Sequence, residues 1–67
     1  MLEIGKTYKV NSQRKGKFTM KVTSLHDPFV TGIIVDGHAS AMMQYNERDK
    51  GEEVSVRESL CTFTEQP

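Results

Sequence analysis

The chain has 67 residues, with nine basic and nine acidic side chains and a formal net charge of zero. This length predicts one domain over residues 1–67, with a net stability of only roughly 3–5 kcal/mol. One cysteine excludes an internal disulfide, and no stretch approaches the ~20 apolar residues of a membrane span. Because the usual staples of small domains are absent, we expect self-association as a homodimer.

The amino terminus predicts the compartment. The chain opens Met1-Leu2-Glu3, with an acid where a secretory signal would carry bases and then an apolar run. A lone thiol is typical of proteins in a reducing environment. We therefore expect a cytoplasmic protein, of the size typical of bacterial or phage accessory proteins.

Charge is distributed unevenly along the chain. Residues 1–21 contain six bases and one acid, a net charge of +5. Residues 22–67 contain three bases and eight acids, a net charge of −5. This asymmetry predicts a basic face and an acidic face rather than a uniformly basic surface.

Apolar and polar side chains alternate over the first third of the chain, which predicts two strands. The strands cover residues 7–10 and 17–25, and the polar segment 11–16 between them is predicted to be a loop. The predicted core-facing residues are Tyr8, Val10, Phe18, Met20 and Val22.

The middle of the chain predicts a hairpin. His26-Asp27-Pro28 ends the second strand, because proline lacks a ladder donor, and the β-branched run 29–35 predicts a third strand. Asp36-Gly37 is the sequence typical of a two-residue type I′ turn. Residues 38–45 would then form the return strand, although Ala41-Met42-Met43 is also compatible with a short helix.

The last third predicts a charged loop at 46–51 and a strand at 53–57 with Val54 and Val56 inward. A change of phase after this strand predicts a 3₁₀ turn near Glu58-Ser59 and a short strand Cys61-Thr62-Phe63. This order of elements resembles the five-stranded SH3-like small barrel. The alternative small barrel, the OB-fold, needs a helix between its third and fourth strands, and none is evident.

A second resemblance covers residues 5–22. Gly5-Lys6-Thr7-Tyr8-Lys9-Val10, Lys15-Gly16-Lys17-Phe18 and Val22 are similar to a KOW motif, the short basic segment of ribosomal and transcription-elongation SH3-like barrels. Thr19 and Met20 stand where that motif would carry a second glycine. The resemblance implies an SH3-like barrel.

No set of residues predicts catalysis, a metal site or a cofactor. Ser24, His26 and Asp27 are near neighbours, but adjacent residues of a strand point to opposite faces. His26 and His38 lack the paired spacing of metal ligands. We therefore expect a protein that is not an enzyme.

Basic residues of the first two strands predict a binding surface for nucleic acid or for an acidic partner. If the apolar residues face the core, three lysines share the outer surface and two further cations join them from the loop. The chain has few aromatic residues to stack on bases. The predicted contact residues are Lys9, Arg14, Lys15, Lys17 and Lys21.

The third strand predicts a competing, apolar surface. Ile33, Ile34 and Val35 are consecutive and cannot all face the interior, so one parity leaves Val30 and Ile34 outside near Met42. The opposite parity exchanges which residues are exposed. Exposed apolar patches mark interaction surfaces. The first hypothesis is therefore a module that binds a protein partner or itself through Val30, Ile34 and Met42, and nucleic-acid binding is the alternative.

Overall fold

The computed structural model describes residues 2–40 and 48–66, in which five strands form one antiparallel sheet. This part of the chain contains no α-helix, and no helix in it is long and apolar enough to cross a bilayer. The predicted all-β class is therefore confirmed. The elements are β1 (Thr7–Ser12), β2 (Gly16–His26), β3 (Phe29–Gly37), β4 (Glu53–Arg57), a 3₁₀ turn (Glu58–Leu60) and β5 (Cys61–Glu65).

The sheet order is β4-β3-β2-β1-β5, so the first and last strands of the chain lie side by side. No pairing between described residues joins β4 to β5, and the sheet is not closed into a barrel. Two bulges interrupt the β2–β3 ladder, where Thr23 of β2 and Val35 of β3 have no opposite residue. Bulges of this kind bend a strand and increase its twist.

One face of the sheet carries the core. The predicted inward residues of β1, β2 and β4 are all buried, and the predicted 3₁₀ turn and last strand are confirmed. Phe63 of β5 packs against this core with its ring edge-on to Tyr8, at a centroid distance of 6.2 Å. The buried apolar residues are Tyr8, Val10, Phe18, Met20, Val22, Val30, Ile34, Ala39, Val54 and Val56.

β3 turns Val30 and Ile34 toward the core, not toward solvent. Val30 is 0% and Ile34 1% exposed, whereas Phe29 is 46% and Val35 37% exposed. The prediction that Val30 and Ile34 face outward is therefore wrong. Gly32 lies between them on the inward face, where the Met20 side chain fills the space that a β-carbon would need.

The predicted type I′ turn at Asp36-Gly37 is also wrong. Asp36 pairs with Thr19 and Gly37 with Phe18, so both residues continue β3 instead of reversing the chain. A type I′ turn needs positive φ at both central positions, and among the described residues only glycines have it. β3 pairs with β4 on its other side.

Part of the predicted return strand, residues 38–45, lies outside the described residues. Ala39 is buried and forms an isolated antiparallel bridge with Arg48. Met42 and the alternative helix at 41–43 belong to the segment that is not described, so those predictions stay predictions.

Candidate functional site: two cationic grooves

Three of the five predicted cationic contact residues share the face of the sheet opposite the core. Lys9 of β1 is paired with Thr19 of β2, and Lys17 and Lys21 lie two residues to either side of Thr19. Both are therefore diagonal neighbours of Lys9, at about 7–8 Å. All three lysines are exposed, and none forms an ion pair with a described residue.

Lys9 and Lys17 line an open groove of about 490 Å³ on this outer face. We call it the outer-face groove; Asn11, Thr19, Thr62 and Thr64 supply most of its remaining polar side chains. Asp36 of β3 bounds one side and is the one acidic residue among the described residues that line it. The groove thus combines ammonium groups with hydroxyl and amide donors, which are the usual partners of phosphate oxygens.

Arg14 and Lys15 lie elsewhere, on the tight turn that joins β1 to β2. The buried Ser12 hydroxyl accepts hydrogen bonds from the main-chain N–H groups of Arg14 and Lys15, at 3.3 and 3.0 Å. The Gln13 N–H donates to the Leu60 carbonyl at 3.0 Å, which fixes the turn against the end of the 3₁₀ turn. The turn between β1 and β2 is thus shorter than the loop predicted over residues 11–16, and hydrogen bonds order it.

A second open groove, of about 1010 Å³, lies between this turn and β4. We call it the edge groove; its charged lining residues are Arg14, Lys15 and Arg57. The Arg57 guanidinium lies 5.3 Å from the centre of the Phe29 ring, a cation–π contact. The sequence did not single out Arg57 or Phe29 for this site, because their proximity comes from the β3–β4 register.

Val30 and Ile34 do not form the predicted apolar strip on the surface. Both side chains are in the core and cannot contact a partner while the chain is folded. The exposed apolar residues of β3, Phe29 and Val35, lie at opposite ends of the strand. They therefore do not replace the strip as one continuous patch.

Histidine and cysteine side chains do not converge in the structure. Among residues 2–40 and 48–66, no three His, Cys, Asp or Glu side chains are grouped as metal ligands. The His38 ring lies 3.4 Å from the Ser40 hydroxyl, and Cys61 is a half-buried free thiol at the start of β5.

No protein-family model matches the chain, and no curated protein or solved structure matches it either. The function therefore has to be inferred from the two grooves.

Proposed function

We propose that the chain is a non-enzymatic SH3-like small barrel that binds nucleic acid through the outer-face groove. The observation that carries this proposal is the placement of Lys9, Lys17 and Lys21 on one face without ion-pair partners among the described residues. Their charges are available to phosphates, because Asp36, the one acidic residue among the described lining residues, forms no ion pair with them.

The strand order supports the SH3-like barrel. Strands β1 to β4 form a meander, and β5 returns to pair with β1 after a 3₁₀ turn, as in that class of small barrel. The bulge at Thr23 allows the long strand β2 to bend just beyond residues 16–21, the part that pairs with β1. The bond from Gln13 N–H to the Leu60 carbonyl holds the β1–β2 turn near the end of β4, which favours closure.

The lining of the groove supports binding to the backbone of a nucleic acid rather than reading of its bases. Lysine, threonine and asparagine donate to phosphate oxygens and carry no sequence information in doing so. Phe18 is the one aromatic residue among the described lining residues, and its ring is buried, so it cannot stack on a base. We therefore expect affinity that depends on charge and varies little with base sequence.

Most of the described acidic residues lie outside the outer-face groove, which reconciles nucleic-acid binding with a net charge of zero. Asp49, Glu52 and Glu53 lie at the start of β4, two strands away from β2. Asp36 borders the groove on its β3 side and would repel phosphate there. A bound strand should therefore lie toward β1 and β5.

The test is fluorescence anisotropy of a labelled single-stranded oligonucleotide, titrated with protein at several salt concentrations. With three phosphate contacts, log K should fall against log salt with a slope of about −2. Replacing Lys9 or Lys17 by Gln should make the slope shallower by about 0.7. Lys50→Gln is the matched control, because Lys50 is exposed in the β3–β4 loop, away from the groove.

Two results would refute the proposal. One is the absence of binding to single-stranded and duplex probes at low salt by a folded protein. The other is equal loss of affinity in Lys17→Gln and Lys50→Gln, which would indicate a diffuse charge effect.

A further inference from the structure

β4 has an edge that no described residue pairs with. It is one of the two end strands of the sheet, the other being β5, and antiparallel pairing uses the main-chain groups of alternate residues. Ile34 N–H donates to the Glu52 carbonyl at 3.0 Å, and Glu58 N–H donates to the Pro28 carbonyl at 2.9 Å. The even-numbered residues of β4 therefore face β3. The residues whose main-chain groups point away are Glu53, Ser55 and Arg57.

This free edge borders the edge groove. Ser55, Val56 and Arg57 of β4 line one side of the groove, and the β1–β2 turn lies across it. An extended chain lying in the groove would find main-chain donors and acceptors at the spacing of a β-ladder. Strand addition of this kind obtains affinity from main-chain hydrogen bonds and specificity from alternate side chains.

The charge of the groove indicates what kind of chain fits. Arg14, Lys15 and Arg57 line it, and no Asp or Glu is among its described lining residues. An extended segment with acidic side chains complements this charge, whereas a basic segment would be repelled.

The main chain that carries Arg14 and Lys15, and the Arg57 side chain, are held in place before any ligand arrives. Ser12 bonds the main chain of Arg14 and Lys15, and the Gln13–Leu60 bond anchors the same turn. Arg57 is positioned by its contact with the Phe29 ring, which is 46% exposed and offers an apolar surface beside the cations. Preorganised groups bind with a smaller ordering cost.

We propose that the edge groove binds an extended acidic segment of a partner protein, which adds to β4 as a further antiparallel or parallel strand. The proposal does not depend on nucleic-acid binding, because the two grooves share no lining residue among those described. It gives the chain a protein partner through a surface different from the predicted apolar strip.

The probe is a short labelled peptide that alternates glutamate and valine, tested against one that alternates lysine and valine. The acidic peptide should bind at least about tenfold more tightly than the basic one. The same acidic peptide with alternate amides N-methylated keeps its charge but loses main-chain donors. It should bind at least about tenfold more weakly.

Amide hydrogen exchange tests the position of the bound strand. In the free protein the amides of Val54 and Val56 should be protected, and those of Ser55 and Arg57 should exchange rapidly. The acidic peptide should slow exchange at Ser55 and Arg57, because these N–H groups point into the groove.

Variants complete the test. Arg14→Gln combined with Arg57→Gln should lower the affinity for the acidic peptide about tenfold or more. Lys50→Gln should leave that affinity unchanged. Equal binding of the N-methylated peptide, or no protection of Ser55 and Arg57, would overturn strand addition. A dimer by native mass spectrometry that the double variant converts to monomer would make the occupant a second copy and overturn the proposal of a separate partner.

Discussion

The outer-face groove and the edge groove both present cations, but they differ in what the main chain can contribute. Lys9 and Lys17 of the outer-face groove lie on β1 and β2, which are paired on both sides, so these two strands offer side chains alone. Among the described residues β4 is paired on one side only, so the edge groove adds unpaired main-chain groups of β4 to the charges of Arg14 and Arg57. Cations on central strands therefore suit a flexible polyanion, which needs only side-chain contacts. Cations beside an edge strand suit an extended acidic peptide, which can also pair with the main chain.

Both grooves depend on the packing of β3 against β2, and the largest expected effect breaks them together. Ile34→Asp places a charge in the core, which costs several kcal/mol against a total stability of roughly 3–5 kcal/mol. The variant should be unfolded by far-ultraviolet circular dichroism. Val35→Asp is the matched control on the same strand and should fold. Cooperative melting of Ile34→Asp at the wild-type temperature would contradict the assigned parity of β3.

A smaller loss is expected at Gly32, on the inward face of β3. A β-carbon there would collide with the Lys21 carbonyl and lie 2.6 Å from the Met20 methyl carbon. Gly32→Ala should destabilise the chain by at least about 2 kcal/mol, as overpacking does, measured by urea unfolding. Gly16→Ala, where φ is +84° and the space is open, isolates backbone strain and should cost about 1 kcal/mol. Equal costs would show that the close approach at Gly32 is not tight.

Ser12→Ala should sharpen the contrast between the grooves. The change removes the acceptor for the N–H groups of Arg14 and Lys15. It should cost about 1 kcal/mol of stability and lower the affinity for the acidic peptide, while the affinity for the oligonucleotide stays constant. Ser59→Ala is the control, since Ser59 is exposed and is not among the described lining residues of either groove. Parallel loss of both ligands in Ser12→Ala would argue against separate sites.

The smallest effect is expected at Lys6, which contacts neither groove. Its ammonium group lies 3.1 Å from a Glu65 carboxylate oxygen and 3.9 Å from one of Glu3. The hydrogen bond to Glu65, followed by the charges of Glu65 and Glu3, raises the pKa of Lys6 above its ordinary value of 10.5. The stabilisation is therefore complete below that value and is lost as the pH rises through the higher folded-state pKa.

Lys6→Gln should accordingly be slightly less stable than the wild type at neutral pH, and the difference should vanish in strong alkali. Exposed ion pairs are screened by salt, so added salt should also reduce the difference. Thermal melts of both proteins across pH measure it. A difference that grows with alkaline pH would contradict the assigned pairing.

Local patterning predicted the fold better than it predicted the surfaces. Alternation located β1, β2 and β4 with their inward residues, because each has one clearly apolar parity. In β3 the outward set Phe29, Thr31, Ile33 and Val35 reads as more apolar than the inward set, since Gly32 belongs to the latter. At Gly32 the Lys21 carbonyl and the Met20 side chain occupy the space that a β-carbon would need, and a single strand does not reveal these contacts between strands.

The two grooves show the same dependence on long-range contacts. The sequence grouped Lys9, Arg14, Lys15, Lys17 and Lys21 as one basic surface, because they lie close together along the chain. The tight β1–β2 turn separates Arg14 and Lys15 from the three lysines of the outer face. It brings them opposite Arg57, which lies far along the sequence. Asp36-Gly37 carries a turn signal, but its pairing with Thr19 and Phe18 of β2 keeps it within β3.

The most direct test of two independent grooves measures two ligands against two double variants. Lys9→Gln with Lys17→Gln alters the outer-face groove, and Arg14→Gln with Arg57→Gln alters the edge groove by the same change of charge. Each double variant should lose at least about tenfold in affinity for its own ligand, oligonucleotide or acidic peptide, and keep the other. Equal losses of both ligands in both variants would contradict the account.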